Sequence, residues 1–298
     1  MNLLTRSIIA AVTLTGVLAG TAAPASAIVG GRNATQTYPG VTSIQVEFLG
    51  LGTGLCGGTL IHPSWILTAA HCVSDQTAAS NPVATPGDTI TARVASSNRT
   101  TGGQVITGKK VYLHPTWAWG ANAPTGPIAD LALVELTTPA RAPLMPLAVR
   151  QAPEQSQVRL VGWGLTQFPP APGATPPAML QERDSRHLPA AACATGMIST
   201  GEVCYDTSAC FGDSGSSALH KHTALGTRAL WTATGVASRE TTPDNPCDAP
   251  TIYTDPTHTP FATWIYTTIL TRKNQPRPPL RATATNNLTT TMKIKSLQ

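Results

Sequence analysis

Apolar stretches in this 298-residue chain are short, and turn residues cut them again and again. Val41 to Leu49 alternates roughly as a strand and stops at Gly50-Leu51-Gly52. Thr59 to Ala69 is largely apolar, and Thr89 to Ser96 and Gln104 to Leu113 are further strand candidates. Leu131 to Leu136 suits a strand buried on both faces, and Val158 to Trp163, Arg228 to Ser238 and Ile252 to Thr254 follow. With 25 Gly, 26 Pro and only 12% charged residues, the chain favours many short strands over long amphipathic helices. The expected class is all-β, in two halves, with Thr137 to Pro146 crossing between them and Phe168 to Pro177 an exposed loop. One helix is predicted over Phe261 to Leu270. There Phe261, Trp264, Ile265, Thr268 and Ile269 share a face, which is expected to pack on the second half.

The two ends read differently from the body. Arg6, an apolar run from Ile8 to Leu18, and Ala25-Ser26-Ala27 fit a secretory signal over residues 1–27. A cut after Ala23 instead leaves a signal over 1–23 and a propeptide over 24–27. The apolar run is too short and too interrupted for a comfortable membrane span. Export to the extracellular space is therefore expected, and the Ala-rich leader suggests a bacterial secretor. Residues 272–298 hold six basic and no acidic residues, a tail expected to be disordered or to associate with an anionic cell-envelope surface. Residues 28–271 carry 13 basic against 15 acidic residues, so the net charge of +5 belongs to the ends. No nucleic-acid-binding face is implied.

Six cysteines, Cys56, Cys72, Cys193, Cys204, Cys210 and Cys247, all follow the leader. In an oxidising compartment they read as three disulfides, with about 15 pairings open from spacing alone. No CxxC and no finger-spaced Cys/His pair occurs, so no metal is expected, nor any organic cofactor.

Three positions carry the chemistry. Ser214 lies in Gly212-Asp213-Ser214-Gly215. A serine hydroxyl needs a base within reach and donors for the oxyanion that forms, and flanking glycines let backbone N–H groups converge. Taken alone, that tetrapeptide is better read as a Ser/Gly turn. His71 ends the apolar run Leu67-Thr68-Ala69-Ala70 and precedes Cys72, which could fix it by a bridge. The other six histidines, including His114 and His220, read as packed or surface residues. Asp130 sits inside Ile128-Ala129-Asp130-Leu131-Ala132-Leu133, where an acid is costly to bury unless paired. A histidine ring N–H is such a partner, and it would fix the tautomer that lets the other nitrogen accept a proton.

These residues fall within eight ordered blocks from Ile28 to about Thr271. The blocks are Ile28-Val29-Gly30-Gly31, Cys56-Gly57-Gly58-Thr59-Leu60, Leu67 to Cys72, Asp130 to Leu133, Gly162-Trp163-Gly164, Gly212 to Gly215, Val236-Ala237-Ser238 and Pro250 to Thr254. The chain resembles the chymotrypsin/trypsin-like serine proteases. The resemblance implies two six-stranded antiparallel β-barrels, a C-terminal helix and a secreted endopeptidase over residues 28–271. It implies His71, Asp130 and Ser214 as the triad and the N–H groups of Gly212 and Ser214 as the oxyanion hole. It further implies Ser238 behind the triad and the pairs Cys56–Cys72, Cys193–Cys204 and Cys210–Cys247. An ion pair would join the freed amine of Ile28 to Asp213 and act as an activation switch. Partners would be protein or peptide substrates and protein inhibitors, met by a monomer.

The specificity pocket departs from the family pattern. Its base is Ser208 where a trypsin-type pocket has Asp, and Glu240 and Thr251 stand where open pockets carry glycines. Arg239 replaces the usual aromatic residue of the substrate-pairing strand, and Ser216 the second glycine after the nucleophile. A shallow pocket taking a small uncharged residue is expected. The competing readings are recruitment of a basic side chain by Glu240, and a neutral Glu240–Arg239 pair in solvent. The alternative function is a non-catalytic binding protein of the same fold with an occluded pocket.

Overall fold

The computed structural model describes residues 28–48, 52–75, 82–118, 128–206, 209–222, 230–242 and 246–273. The expected signal, residues 1–27, and the basic segment beyond Lys273 lie outside the described residues. A short strand β1 (Arg32–Asn33) precedes the first barrel. That barrel is built from β2 (Val41–Phe48), β3 (Gly52–His62), β4 (Trp65–Thr68), β5 (Ile90–Val94), β6 (Gln104–Leu113) and β7 (Ala132–Leu136). It closes in the order β2-β3-β4-β7-β6-β5. The second barrel uses β8 (Gln157–Gly162), β9 (Gln181–Leu188), β10 (Glu202–Tyr205), β11 (Ser217–His222), β12 (Leu230–Glu240) and β13 (Thr251–Thr254). Its order is β8-β9-β10-β13-β12-β11, with β11 returning to β8 and β1 added outside β9. All these pairings are antiparallel.

Periodicity explains most of these elements. Strand β5 alternates buried and half-buried positions, and in β7 every side chain but Glu135 is buried. Strand β9, Gln181-Glu182-Arg183-Asp184-Ser185-Arg186-His187-Leu188, carries no apolar signal until its last residue. Its inward positions are polar, and the charged one, Glu182, is satisfied by partners instead. The fully buried Glu182 carboxylate accepts from Arg32 Nε at 3.1 Å, Thr35 Oγ1 at 2.8 Å and the Tyr38 hydroxyl, and pairs with Arg159 at 3.0 Å. Burial pushes its carboxyl up, but Tyr38, Thr35 and Arg159 outweigh burial and hold it below the usual range. Burial and the Glu182 bond push the Tyr38 phenol up to about 12. Arg183 Nη1 also donates to Val29 O. The segment from Val29 to Tyr38 is thus fastened to the second barrel while still joined to what precedes it.

The C-terminal helix α1 runs over Thr259–Lys273, longer than the predicted span at both ends. Phe261, Ile265 and Ile269 are buried on the face expected, with Trp264 and Thr268 half-buried. The partner differs from expectation. This face packs on the first barrel, in the cluster that holds Leu131, Leu133 and Trp117. His114 explains the site of docking, since its ring lies 5.1 Å from Phe261 and 4.9 Å from Trp264. Burial there drives the His114 pKa down to about 4, so the ring stays neutral in the folded core. Among the described residues, no helix is long and apolar enough to cross a membrane.

Candidate active site

His71 sits in a single helical turn, Ala70–Cys72, at the end of β4. The apolar run Trp65 to Ala70 is fully buried and carries His71 to the edge of the barrel, where its side chain is 14% exposed. The bridge Cys56–Cys72 ties this turn to β3. Asp130 precedes β7, which pairs with β4, so barrel closure brings the acid to the histidine. Asp130 Oδ2 lies 2.7 Å from His71 Nδ1, and Oδ1 accepts from the His71 backbone N–H at 2.9 Å. Ser238 Oγ donates to the same carboxylate at 2.7 Å. The carboxylate is fully buried and satisfied on both oxygens, as a buried charge must be.

The electrostatics follow from that packing. Burial lowers the His71 pKa, but the Asp130 carboxylate outweighs it and Glu240 adds to the rise, so the ring titrates above its ordinary value. Burial raises Asp130, and His71 and Ser238 hold it below the usual carboxylate range.

The second barrel presents Gly212-Asp213-Ser214-Gly215 to this pair. Gly57 N–H donates to Ser214 O at 2.8 Å, and Gly57 is the neighbour of Cys56, bridged to the neighbour of His71. Gly215 has φ +76°, and a Cβ there would stand 2.5 Å from Gly57 O and 3.1 Å from Ala69 N. The nucleophile loop therefore rests directly on the turn that carries His71. Gly212, with φ +98°, is likewise a backbone that only glycine adopts freely. The backbone N–H groups of Gly212 and Ser214 donate to no backbone carbonyl among the described residues.

Asp213 points the other way, into the second barrel. Its carboxylate is buried and accepts from Gly164 N at 2.7 Å and Cys210 N at 3.0 Å. A Cβ on Gly162 would come within 2.1 Å of Oδ1, which explains both glycines of Gly162-Trp163-Gly164. No cation pairs with Asp213 among the described residues, and burial pushes it up to about 7 against those two backbone bonds. Ile28 is buried in a cluster with Ala209, Ala237 and Tyr253. Tyr253 in turn feels the Asp213 charge.

Comparison with known proteins shows the family of the chain. The family model described as Trypsin matches residues 28–265. The chain belongs to the trypsin family. Membership carries peptide hydrolysis as the family chemistry and protein or peptide substrates as its partners. Trypsin 5G1 of Aedes aegypti is 31% identical over 61% of this chain and 68% of its own length. Serine protease SP24D of Anopheles gambiae is 32% identical over 67% and 69%, and a trypsin of Phaedon cochleariae 29% over 47% and 50%. These relatives are insect proteins and give no support to the expected bacterial source. Among solved structures, neuropsin, a serine protease expressed in the limbic system of mouse brain, shares the fold. Its TM-score is 0.60 at 22% identity, over 81% of this chain and all of that one.

In this trypsin-family chain the three bridges form Cys56–Cys72, Cys193–Cys204 and Cys210–Cys247, the pairing the resemblance implied. The pocket is only partly described, because Ser208 lies outside the described residues. Thr251 is buried, opposite Glu240 in the β12–β13 register. Ser216 fits where a glycine was expected because Gly57 lacks a Cβ, which would lie 1.9 Å from Ser216 Oγ.

The Glu240–Arg239 pair, one of the competing readings, is not observed: Arg239 pairs with Glu202 instead. Adjacent residues of a strand point to opposite faces, and Arg239 turns to the loop held by Cys193–Cys204. It donates to Gly196 O and Met197 O, both at 3.0 Å, and forks onto Glu202, at 2.9 Å from Oε2. Glu202, whose side chain is fully buried, also accepts from Ser199 N at 2.7 Å. Glu202 is a residue that sequence reasoning missed. The available signal was an acid inside the strand run Gly201-Glu202-Val203-Cys204, the same kind of signal that marks Asp130. Glu240 itself stays at the site. Burial raises its carboxyl, its own backbone N–H and His71 oppose that, and no ion pair to it exists among the described residues.

Proposed function

We propose that this chain is a secreted serine endopeptidase in which Ser214 attacks the scissile carbonyl, His71 is the base and Asp130 orients it. The observation that carries this reading is the 2.7 Å His71–Asp130 bond, backed by Ser238, beside a nucleophile loop that offers two N–H groups outside the backbone ladder. His71 Nδ1–H donates to Asp130, which leaves Nε2 to accept the Ser214 proton. The tetrahedral oxyanion is held by the N–H groups of Gly212 and Ser214. His71 then hands its proton to the leaving amine, and water, activated by the same base, hydrolyses the acyl-enzyme. A hydrogen bond from Ser214 Oγ to His71 Nε2 is expected to form when substrate fills the site.

Completion comes from the N-terminus. Asp213 is a buried acid lacking a cation among the described residues, and Ile28 is already seated in the adjoining cluster. Cleavage after Ala27 would free an amine able to pair with Asp213 and order the oxyanion hole. N-terminal sequencing of the active secreted form is expected to read Ile28-Val29-Gly30-Gly31. Full activity in a form that begins elsewhere contradicts this.

For the residue before the scissile bond, the narrow walls at Glu240 and Thr251 support a small uncharged side chain. The commitment of Arg239 to Glu202 favours the second reading, a basic side chain drawn to Glu240 at the pocket mouth. Glu240→Gln then lowers the preference for Lys or Arg over Ala about tenfold, a difference of about 1.4 kcal/mol. The same change removes a negative charge that raises His71. Because His71 acts as base only when neutral, activity rises with pH through its pKa, and the acid limb of kcat/KM moves to lower pH in the variant. Library cleavage dominated by bulky aromatic residues, or an unmoved acid limb, contradicts this role.

A further inference from the structure

Outside the triad, two histidines stand side by side on one strand. His220 and His222 are two apart on β11, so their side chains leave the same face of the sheet. Their ring centroids are 4.7 Å apart with the planes at 85°. His222 Nε2 lies 2.9 Å from Thr232 Oγ1, and Thr232 stands directly opposite His220 in the β11–β12 register. Lys221, between them, takes the other face, where its ammonium sits 5.6 Å from the centre of the Trp231 ring. No cationic side chain from that strand therefore intrudes on the histidine face. His220 is half-buried and His222 exposed.

We propose that His220 and His222 form a two-histidine site for a late divalent transition metal such as Zn²⁺ or Cu²⁺. A Zn–N bond of about 2.0–2.1 Å places each ring centre about 3.2 Å from the metal. Two such rings with centres 4.7 Å apart subtend about 95° at the ion, between the square and tetrahedral values. Thr232 supplies the outer hydrogen bond that metal-bound imidazoles use to fix ring and tautomer. With Nε2–H donating to Thr232 Oγ1, His222 presents Nδ1 to the ion. No third His, Cys, Asp or Glu joins the pair among the described residues, so water completes the coordination shell. Imidazole-only ligation selects Zn²⁺, Cu²⁺ or Ni²⁺ over Ca²⁺ and Mg²⁺, which require oxygen cages. The strand that holds the pair begins three residues after Ser214, so the ion would be anchored to the strand that leaves the nucleophile loop.

The test is Cu²⁺ and Zn²⁺ titration of the full chain, carrying Ser214→Ala to prevent self-digestion, by equilibrium dialysis and electron paramagnetic resonance. One Cu²⁺ with two imidazole nitrogens is expected, and that equivalent disappears in His220→Ala/His222→Ala. Thr232→Val is expected to weaken the site about tenfold while both rings remain. His222→Ala, at an exposed position, guards against misfolding and should alone weaken binding more than tenfold. Retention of the same stoichiometry and affinity by the double variant, or by His222→Ala, overturns the proposal.

Discussion

Asp130→Asn is expected to lower kcat about 10⁴-fold while leaving the fold intact, the size known for the same change in the type triad of this family. The cause is visible here. The carboxylate accepts from His71 Nδ1, from the His71 backbone N–H and from Ser238 Oγ. An amide at this position presents one NH₂ group to donors, so the network can be satisfied only by reversing the His71 tautomer. The nitrogen facing Ser214 would then carry the proton and could not accept another. The loss should therefore fall on kcat, with KM little changed, and thermal unfolding should shift by a few degrees at most. An Asn variant within tenfold of the parent would show that Asp130 is only a buried structural acid.

The second large effect is expected at Gly215→Ala. This residue has φ +76°, and a Cβ would press on Gly57 O at 2.5 Å and Thr68 Oγ1 at 2.3 Å. The left-handed backbone and the overpacking together should cost about 3 kcal/mol of stability. The loop cannot relax away freely, because Gly57 N–H holds Ser214 O and Gly215 N–H holds Ala237 O, both at 2.8 Å. Ser214 is the neighbour that must move, and a displacement of about 1 Å at a nucleophile costs about 10²-fold in rate. Denaturant unfolding and peptide hydrolysis of the same variant should both report the loss. A variant with parental stability and rate would mean that the loop is not seated against the His71 turn.

Much of this was legible in the chain because the site is made of local exceptions. His71 stands out at the end of an apolar run and Asp130 inside one, and folding brings them together through the pairing of β4 with β7. Gly162 and Gly164 could be quoted as a motif, but their reason, the close approach of Asp213, needs the second barrel assembled. Strand β9 was hidden because its buried positions are the polar Gln181, Glu182, Ser185 and His187, and Gln181 and Glu182 bond to residues more than a hundred positions away. Arg239 was readable as unusual, whereas its destination was not. A strand's alternation says that Arg239 and Glu240 diverge, yet only the register with the Cys193–Cys204 loop reveals Glu202 as the acid it meets. The helix face was correct and its host was not, since periodicity names the apolar side and says nothing of which barrel receives it.

The central claim is that Ser214 is an activated nucleophile. The most direct measurement is labelling of the purified chain, with Ile28 as its N-terminus, by a fluorophosphonate probe, alongside Ser214→Ala. Stoichiometric labelling that disappears in the variant is the predicted result. A folded parent chain that takes no label, while Cys56–Cys72 is intact, would contradict it and favour a non-catalytic member of the family.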